Sequence, residues 1–311
     1  MTARPRPTIH PELPQPGETI GVIAPASSFG REAFERGCEH LRRLGYKVFF
    51  HESITEKELY FAGSAERRAW ELHQMFEKRF VKAILCARGG YGSNYLLPHL
   101  NLDLIRANPK FLMGYSDITS MLTYIHDQTG LVTYHGPMVA KDFADAESAV
   151  DFTFPLNASV DGAQLRAGEV RGKLYGGCLS ILVGSLGTPY EIEPADTILF
   201  LEDVAAKPYQ VDRMLMHLKL AGKLERVKGI IFGEMPDCVQ PGGQDYTLQE
   251  IVAQVLRDFQ GPIAWGLRSG HLADYRQSGV TLPIGAEVAL RVESGRMSLR
   301  ATARDTASTA S

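Results

Sequence analysis

Cysteine is scarce and scattered in this chain. The four in 311 residues, Cys38, Cys86, Cys178 and Cys238, form no CxxC pair and no Cys/His cluster. Structural zinc is therefore not expected, nor is a disulfide framework in a chain of this length. A dominant charge of one sign is also missing. Thirty-three Lys and Arg against 36 Asp and Glu leave a formal net charge of −3, which gives no electrostatic case for nucleic acid or a membrane surface as partner. No uninterrupted apolar run reaches bilayer-spanning length. The segment Met1 to Gly17 is rich in proline and arginine and lacks the apolar core of a secretory signal. The expected compartment is the cytoplasm, and neither a metal nor a cofactor is expected. What is present is an ordinary globular composition, 44% hydrophobic and 22% charged. The chain is too long for one core and suits two domains.

The first half alternates apolar runs with amphipathic stretches. Thr19 to Pro25, Lys47 to Phe50, Ala83 to Ala87, Phe111 to Gly114 and Leu131 to Tyr134 read as strands. Ala33 to Leu44, stopped by Gly45, reads as a helix, as does Glu66 to Phe80 with Ala69, Leu72, Met75 and Phe76 on one face. Continuous apolar strands between helices predict an α/β fold with a doubly wound, mostly parallel sheet covered on both faces. Ligands of such sheets lie beyond the carboxyl ends of the strands. Around Ala158 to Arg171 the periodicity lapses, and residues 161–171 are expected to be a linker. The second half reads as a mixed α+β domain. Its strands are Thr197 to Leu201, Gly229 to Phe232 and Pro262 to Trp265, and its amphipathic helix carries Val211, Met214, Leu215 and Leu218 before Gly222. A hairpin of Val288 to Val292 and Met297 to Ala301 closes around Ser294-Gly295. The expected boundaries are 1–160 for the N-terminal domain, with 1–17 extended or disordered, 172–303 for the C-terminal domain, and 304–311 for a tail. No internal repeat is evident.

Two strand ends carry the chemistry. Phe111 to Gly114 runs into Tyr115-Ser116-Asp117-Ile118-Thr119, where a helix opens at the serine. A strand–turn–helix elbow of this kind holds a hydroxyl beside the positive end of a helix, although the second glycine of the usual motif is here Ile118. Read alone, Ser116 suits a helix N-cap as well as a nucleophile. Arg88-Gly89-Gly90-Tyr91-Gly92 follows another strand. It could be a tight turn, a phosphate cradle lacking the Lys-Ser/Thr of a P-loop, or a loop whose amide approaches an oxyanion, and spacing does not separate these. A serine nucleophile needs a base, and the base an orienting group. Of nine histidines, His271 stands at a strand end after a glycine, where a general base would fit. Glu202 closes the strand Ile198 to Leu201, where it could orient a base, pair with an arginine or cap the next helix.

These residues belong to an ordered set: Arg88-Gly89-Gly90-Tyr91-Gly92, Gly114-Tyr115-Ser116-Asp117-Ile118-Thr119, Gly136-Pro137-Met138, Gly176-Gly177, Leu201-Glu202-Asp203 with Pro208-Tyr209 and Asp212-Arg213-Met214-Leu215, Gly270-His271 and Thr281-Leu282-Pro283-Ile284-Gly285. The set resembles the LD-carboxypeptidases, the muramoyl-tetrapeptide carboxypeptidase family of serine peptidases, from about Gly21 to the end of the folded chain. The resemblance implies a Ser–Glu–His triad of Ser116, Glu202 and His271, the serine from the N-terminal domain and the other two from the C-terminal domain. It implies an oxyanion hole from the backbone amides of Gly90 and Asp117. The implied reaction removes the terminal D-alanine from murein tetrapeptide, at the bond to an L-configured diaminopimelate or lysine centre, in cytoplasmic peptidoglycan recycling. A homodimer is implied as well. Because a carboxypeptidase must hold a free carboxylate, Arg88 and Arg276 are candidate partners for it, with Tyr91 as a further substrate contact.

Three positions depart from the family pattern. Ala205-Ala206-Lys207 replaces the acid usually found after Leu-Glu-Asp, Cys178 stands where an asparagine often follows the paired glycines, and the stretch Leu272 to Val280 is longer than in compact members. These changes leave the implied triad intact and bear on substrate detail, and two rival functions stand beside the main one. One is an amide hydrolase resembling the microcin C self-immunity proteins, acting on aminoacyl-nucleotide analogues. The other is a muropeptide-binding module without turnover.

Overall fold

A computed structural model describes residues 7–145, 157–162, 164–240, 242–272 and 279–302. In chain order it begins with β1 (Thr19–Ile23), α1 (Arg31–Arg43), β2 (Lys47–Phe49), α2 (Ala65–Glu77), β3 (Val81–Cys86), α3 (Leu102–Ala107), β4 (Phe111–Gly114), α4 (Thr119–Thr129) and β5 (Thr133–His135). It continues with β6 (Asn157–Asp161), β7 (Gln164–Arg166), β8 (Gly168–Cys178), α5 (Leu179–Gly184), β9 (Thr197–Glu202), α6 (Pro208–Leu220), β10 (Gly229–Phe232), α7 (Leu248–Val255), β11 (Ile263–Ala264), β12 (Leu282–Ile284), β13 (Glu287–Glu293) and β14 (Arg296–Ala301). The chain divides into two units, one of residues 1–153 with 274–285, the other of 154–273 with 286–311.

The first unit is built on a six-stranded sheet of order β12-β5-β4-β3-β1-β2. Strands β1 to β5 are parallel, and β12 adds antiparallel to β5 with Leu282 opposite His135. Apolar strand residues such as Ile20, Leu85, Phe111 and Leu112 have no exposed surface, as parallel strands covered on both faces require. The order reverses between β1 and β3, the kind of crossing where doubly wound sheets open a ligand crevice. The loops leaving β1, β3 and β4 therefore carry the residues of interest. Near the start of the described chain, the Ile9 amide donates to Gly130 O at 2.8 Å and Ile9 O accepts from Val132 N at 2.8 Å, so this part of the expected 1–17 extension is pinned.

The second unit has an eight-stranded sheet of order β6-β14-β13-β8-β9-β10-β11-β7. Strands β8 to β11 are parallel, with α5, α6 and α7 as their connections, and β6, β7, β13 and β14 pair antiparallel. Every residue of β9 is buried. At the β13–β14 hairpin, Ser294 and Gly295 have φ of 50° and 78°, the positive angles at both central positions that a two-residue turn needs to match strand twist.

Two boundaries differ from expectation. The expected linker at 161–171 contains β7 and the first residues of β8; both are half-exposed segments with polar residues, so a window tuned to apolar periodicity passes over them. Residues 282–284, expected in the C-terminal domain, form an edge strand of the first sheet. Pro283 is tolerated there because an edge strand leaves one side of its backbone unpaired. The expected tail at 304–311 lies outside the described residues.

Candidate active site

In the first unit, the backbone of Ser116 takes φ +63°, a left-handed conformation that costs a non-glycine residue roughly 1–2 kcal/mol. A short 3-10 turn, Ser116–Ile118, then leads into α4. The cap of that turn is Tyr115 and the cap of α4 is Ile118, neither with a side-chain capping bond. Ser116 is thus not the helix cap considered from the sequence. Ile118, which stands where the usual motif has its second glycine, is fully buried. A side chain on Gly114 would lie 3.0 Å from Ile118 Cγ2 and 3.1 Å from Cys86 Cβ. The first glycine therefore makes room for the isoleucine, and the elbow closes without the second.

The glycine-rich loop lies against this serine. A methyl group on Gly89 would stand 3.0 Å from Ser116 Cβ and 3.3 Å from its Oγ. Gly90 has φ +98°, and a side chain there would collide with Ser27 Oγ. Ser27 fixes the loop, since its amide donates to Gly89 O at 3.2 Å and its Oγ accepts from the Tyr91 amide at 3.0 Å. Beneath, the buried Arg68 donates to Pro25 O at 2.6 Å, Gly92 O at 2.8 Å and Gly63 O at 3.0 Å. One guanidinium thereby ties the loop after β1 to the loop after β3. Asp117 is buried as well. Its Oδ2 accepts from Ser93 N at 2.8 Å, and Ser93 Oγ donates to its carbonyl at 2.6 Å. Burial pushes the Asp117 carboxyl up, while bonds from Ser93 and Gly92 and the charge of Arg68 pull it back.

Arg88 is exposed and donates to Ser28 O at 3.0 Å. Tyr91 is exposed within an aromatic group with Tyr60, Phe61 and Tyr95, its ring 6.1 Å from that of Tyr95. Arg276 lies outside the described residues.

In the second unit, β9 delivers Glu202 to its carboxyl end with no exposed surface. Glu202 Oε2 sits 2.6 Å from His271 Nδ1 and also accepts from the His271 amide at 3.2 Å. Gly270 has φ +108°, and a side chain on it would lie 2.5 Å from that same carboxylate oxygen. Glycine is therefore required for the histidine to reach the acid. With Nδ1 donating to the carboxylate, Nε2 is the nitrogen whose lone pair can accept a proton. The neighbouring acid is committed elsewhere. Asp203 accepts from the amides of Ser180 and Val204, both at 2.8 Å, and burial raises its pKa. Cys178 lies opposite Glu202 in the β8–β9 register. Burial, then the charges of Glu202 and Asp203, push its thiol well up, so it is no nucleophile. Lys207 is the N-cap of α6, its amide donating to Gln210 Oε1 at 2.7 Å.

Each unit thus assembles its own part: Ser116, Gly89, Gly90 and Asp117 in the first, Glu202 and His271 in the second. Among the described residues, no group of three or more His, Cys, Asp or Glu side chains could hold a metal ion, and no helix is long and apolar enough to cross a membrane. Sequence reasoning missed Ser27 and Arg68. For Arg68 a signal existed, because it lies four residues before Leu72 and so shares the apolar face of α2.

Residues 20–136 match the LD-carboxypeptidase N-terminal domain, and residues 171–290 the LD-carboxypeptidase C-terminal domain. A probable murein peptide carboxypeptidase of Bacillus subtilis is 36% identical over 297 residues, covering 90% of this chain and 91% of its own. The crystal structure of a muramoyltetrapeptide carboxypeptidase from Oxalobacter formigenes superposes with a TM-score of 0.80 at 28% identity, over 90% of this chain and 97% of its own. The structure of MccF, a microcin C7 self-immunity protein, in complex with glutamyl sulfamoyl guanosine gives 0.82 at 26% identity, over 95% and 99%. With both domains matched in order and the fold shared, the chain belongs to the LD-carboxypeptidase family of peptidases.

Proposed function

We propose that the protein is a serine-type LD-carboxypeptidase that releases the terminal D-alanine from murein tetrapeptide. The observation that carries this reading is the 2.6 Å contact between buried Glu202 and His271 Nδ1, because the acid–base half of a serine-hydrolase triad needs a carboxylate holding an imidazole in this way. In this mechanism Ser116 Oγ attacks the carbonyl joining the L-centre to D-alanine while His271 Nε2 takes its proton. Glu202 holds the imidazole in the productive tautomer and stabilises imidazolium. The amides of Gly90 and Asp117 receive the charge of the tetrahedral intermediate, a contribution of roughly 2.7–4 kcal/mol per donor in known cases. His271 then protonates the departing D-alanine amine, and water frees the tripeptide from the serine by the same steps. The left-handed turn at Ser116 supports the reading, since strained backbone is held where a hydroxyl must be presented. A cytoplasmic homodimer is part of the proposal, and light scattering on the purified protein checks the dimer.

The similarity to MccF supports a second reading, cleavage of an amide joining an amino acid to a nucleotide-like group. Purified protein is incubated with murein tetrapeptide and, separately, with glutamyl sulfamoyl guanosine, and products are read by mass spectrometry. D-alanine release is the expected outcome. Cleavage of the nucleotide analogue alone selects the second reading, and binding without cleavage of either compound indicates a muropeptide-binding module. Ser116→Ala is expected to reduce turnover by several orders of magnitude with the fold unchanged by circular dichroism.

A further inference from the structure

The second unit holds an arginine whose Nε meets no acceptor among the described residues. Arg268 stands three residues before His271 and is half-buried. Its Nε is shielded from solvent and has no hydrogen-bond partner, and its guanidinium makes no ion pair among the described residues. A buried donor left unmet is costly, and more so when the group is charged. Such groups in folded proteins call for an explanation, and a ligand is one.

The backbone fixes this residue in place. Leu267 and Ser269, on either side, have no exposed surface. The Leu267 amide donates to Phe232 O at 3.1 Å, and Ser269 O accepts from the Glu234 amide at 3.2 Å. Gly233 allows this approach, because a side chain there would lie 2.7 Å from both Ser269 O and the Phe200 ring. The segment of Arg268 is thus stitched to the end of β10, directly beside Glu234, which is also half-buried. Burial raises the Glu234 carboxyl and the charge of Arg268 lowers it. The two charges therefore sense one another without forming an ion pair. Glu202 closes β9, and Glu234 and Arg268 follow β10 and β11, all at the carboxyl ends of the strands, the edge where parallel sheets take ligands.

A carboxylate alone would satisfy Arg268 but confront Glu234, and an ammonium alone would do the reverse. A zwitterionic head group, with both charges on one carbon, answers both. In the tetrapeptide of the proposed function, a diaminopimelate third residue ends its side chain in such a group, whereas lysine ends in an ammonium only. The D-alanine nitrogen is an amide until it is cut, so that residue is not zwitterionic in the substrate. We infer that Arg268 and Glu234 form a subsite for the zwitterionic side-chain end of the third residue, selecting diaminopimelate over lysine. This rests on the carboxypeptidase reading, but it is testable apart from turnover.

Calorimetry on the full-length Ser116→Ala protein, with synthetic diaminopimelate and lysine tetrapeptides, reads affinity alone. The diaminopimelate peptide is expected to bind at least ten-fold more tightly. Arg268→Gln in the same background should erase that preference and leave lysine-peptide affinity within about two-fold, with circular dichroism confirming the fold. Glu234→Gln should weaken both peptides. Equal affinity for the two peptides, or an Arg268→Gln effect equal on both, overturns the subsite. D-alanine release by the unmodified protein is measured alongside. Its absence with the preference intact overturns the reaction and not the subsite, and release without preference does the opposite.

Discussion

Ser116 occupies a backbone angle that suits glycine, and the functional reading requires that it do so nonetheless. At an ordinary helix or strand position, alanine is more stable than glycine by roughly 0.5–1 kcal/mol, because glycine has more freedom to lose. With φ at +63° the order should invert. Ser116→Gly is expected to be more stable than Ser116→Ala by about 1 kcal/mol in denaturant unfolding, with turnover expected to fall by several orders of magnitude in both. If alanine is the more stable, the turn is not strained. Gly270 makes the converse case in the other unit. Its φ of +108° and the 2.5 Å approach a side chain would make to Glu202 Oε2 mean that Gly270→Ala must displace either the acid or the histidine. A fall in kcat of at least ten-fold is expected, with KM little changed, because ground-state binding of the peptide does not depend on imidazole orientation.

At the scale of elements, Arg68 on α2 makes the loops after β1 and β3 into one body. Arg68→Met keeps much of the side-chain volume and removes donations to four carbonyls, leaving buried acceptors unmet. About 3 kcal/mol of stability should be lost in urea titration. Activity should fall as well, because Gly90 loses the anchor of its loop. A lysine at this position cannot reproduce the fork that spans those carbonyls. The same element shows what could be read from sequence. The parallel core of the first sheet was legible because β1, β3 and β4 are apolar on both faces, so each run announces itself. Strands β7 and β8 were not, since their exposed faces resemble a polar linker until β11 and β13 are known to lie beside them. Strand β12 could not be placed locally, because its partner β5 lies more than a hundred residues earlier. Glu202 and His271, 69 residues apart, were linked only through resemblance to a family, and their catalytic role remains the proposal above. Arg268 and Glu234 carry no periodic signal at all. The backbone bond between Glu234 and Ser269, and the charge of Arg268 felt at Glu234, reveal them as neighbours.

At the scale of the whole molecule, the two units should respond to mild acid in opposite directions. In the first unit, burial lowers the pKa of His40, aided by the charge of Arg43, and burial lowers that of His73. The His73 ring also accepts at Nε2 from the Asn101 amide at 2.9 Å, a bond that protonation would break. A histidine whose folded pKa is depressed takes up its proton more readily when unfolded. The associated stability is present above the unfolded value near 6.5 and is lost as pH falls through that value towards the folded one. In the second unit, burial instead raises Asp203 and Glu234. Their folded forms bind protons more tightly than the unfolded chain does, so stability is gained as pH falls towards the ordinary carboxylate range near 4. Asp117 gives the first unit one such group, against its two histidines. Between about pH 7.5 and about pH 5.5, the first unit should therefore weaken relative to the second. Hydrogen exchange, corrected for the intrinsic effect of pH, reads this directly. Protection of β3 and β4 should fall against that of β9 and β10, and a His40→Gln, His73→Gln double variant should remove most of the divergence. Equal changes in both units would show that His40 and His73 are not what couples this fold to protons.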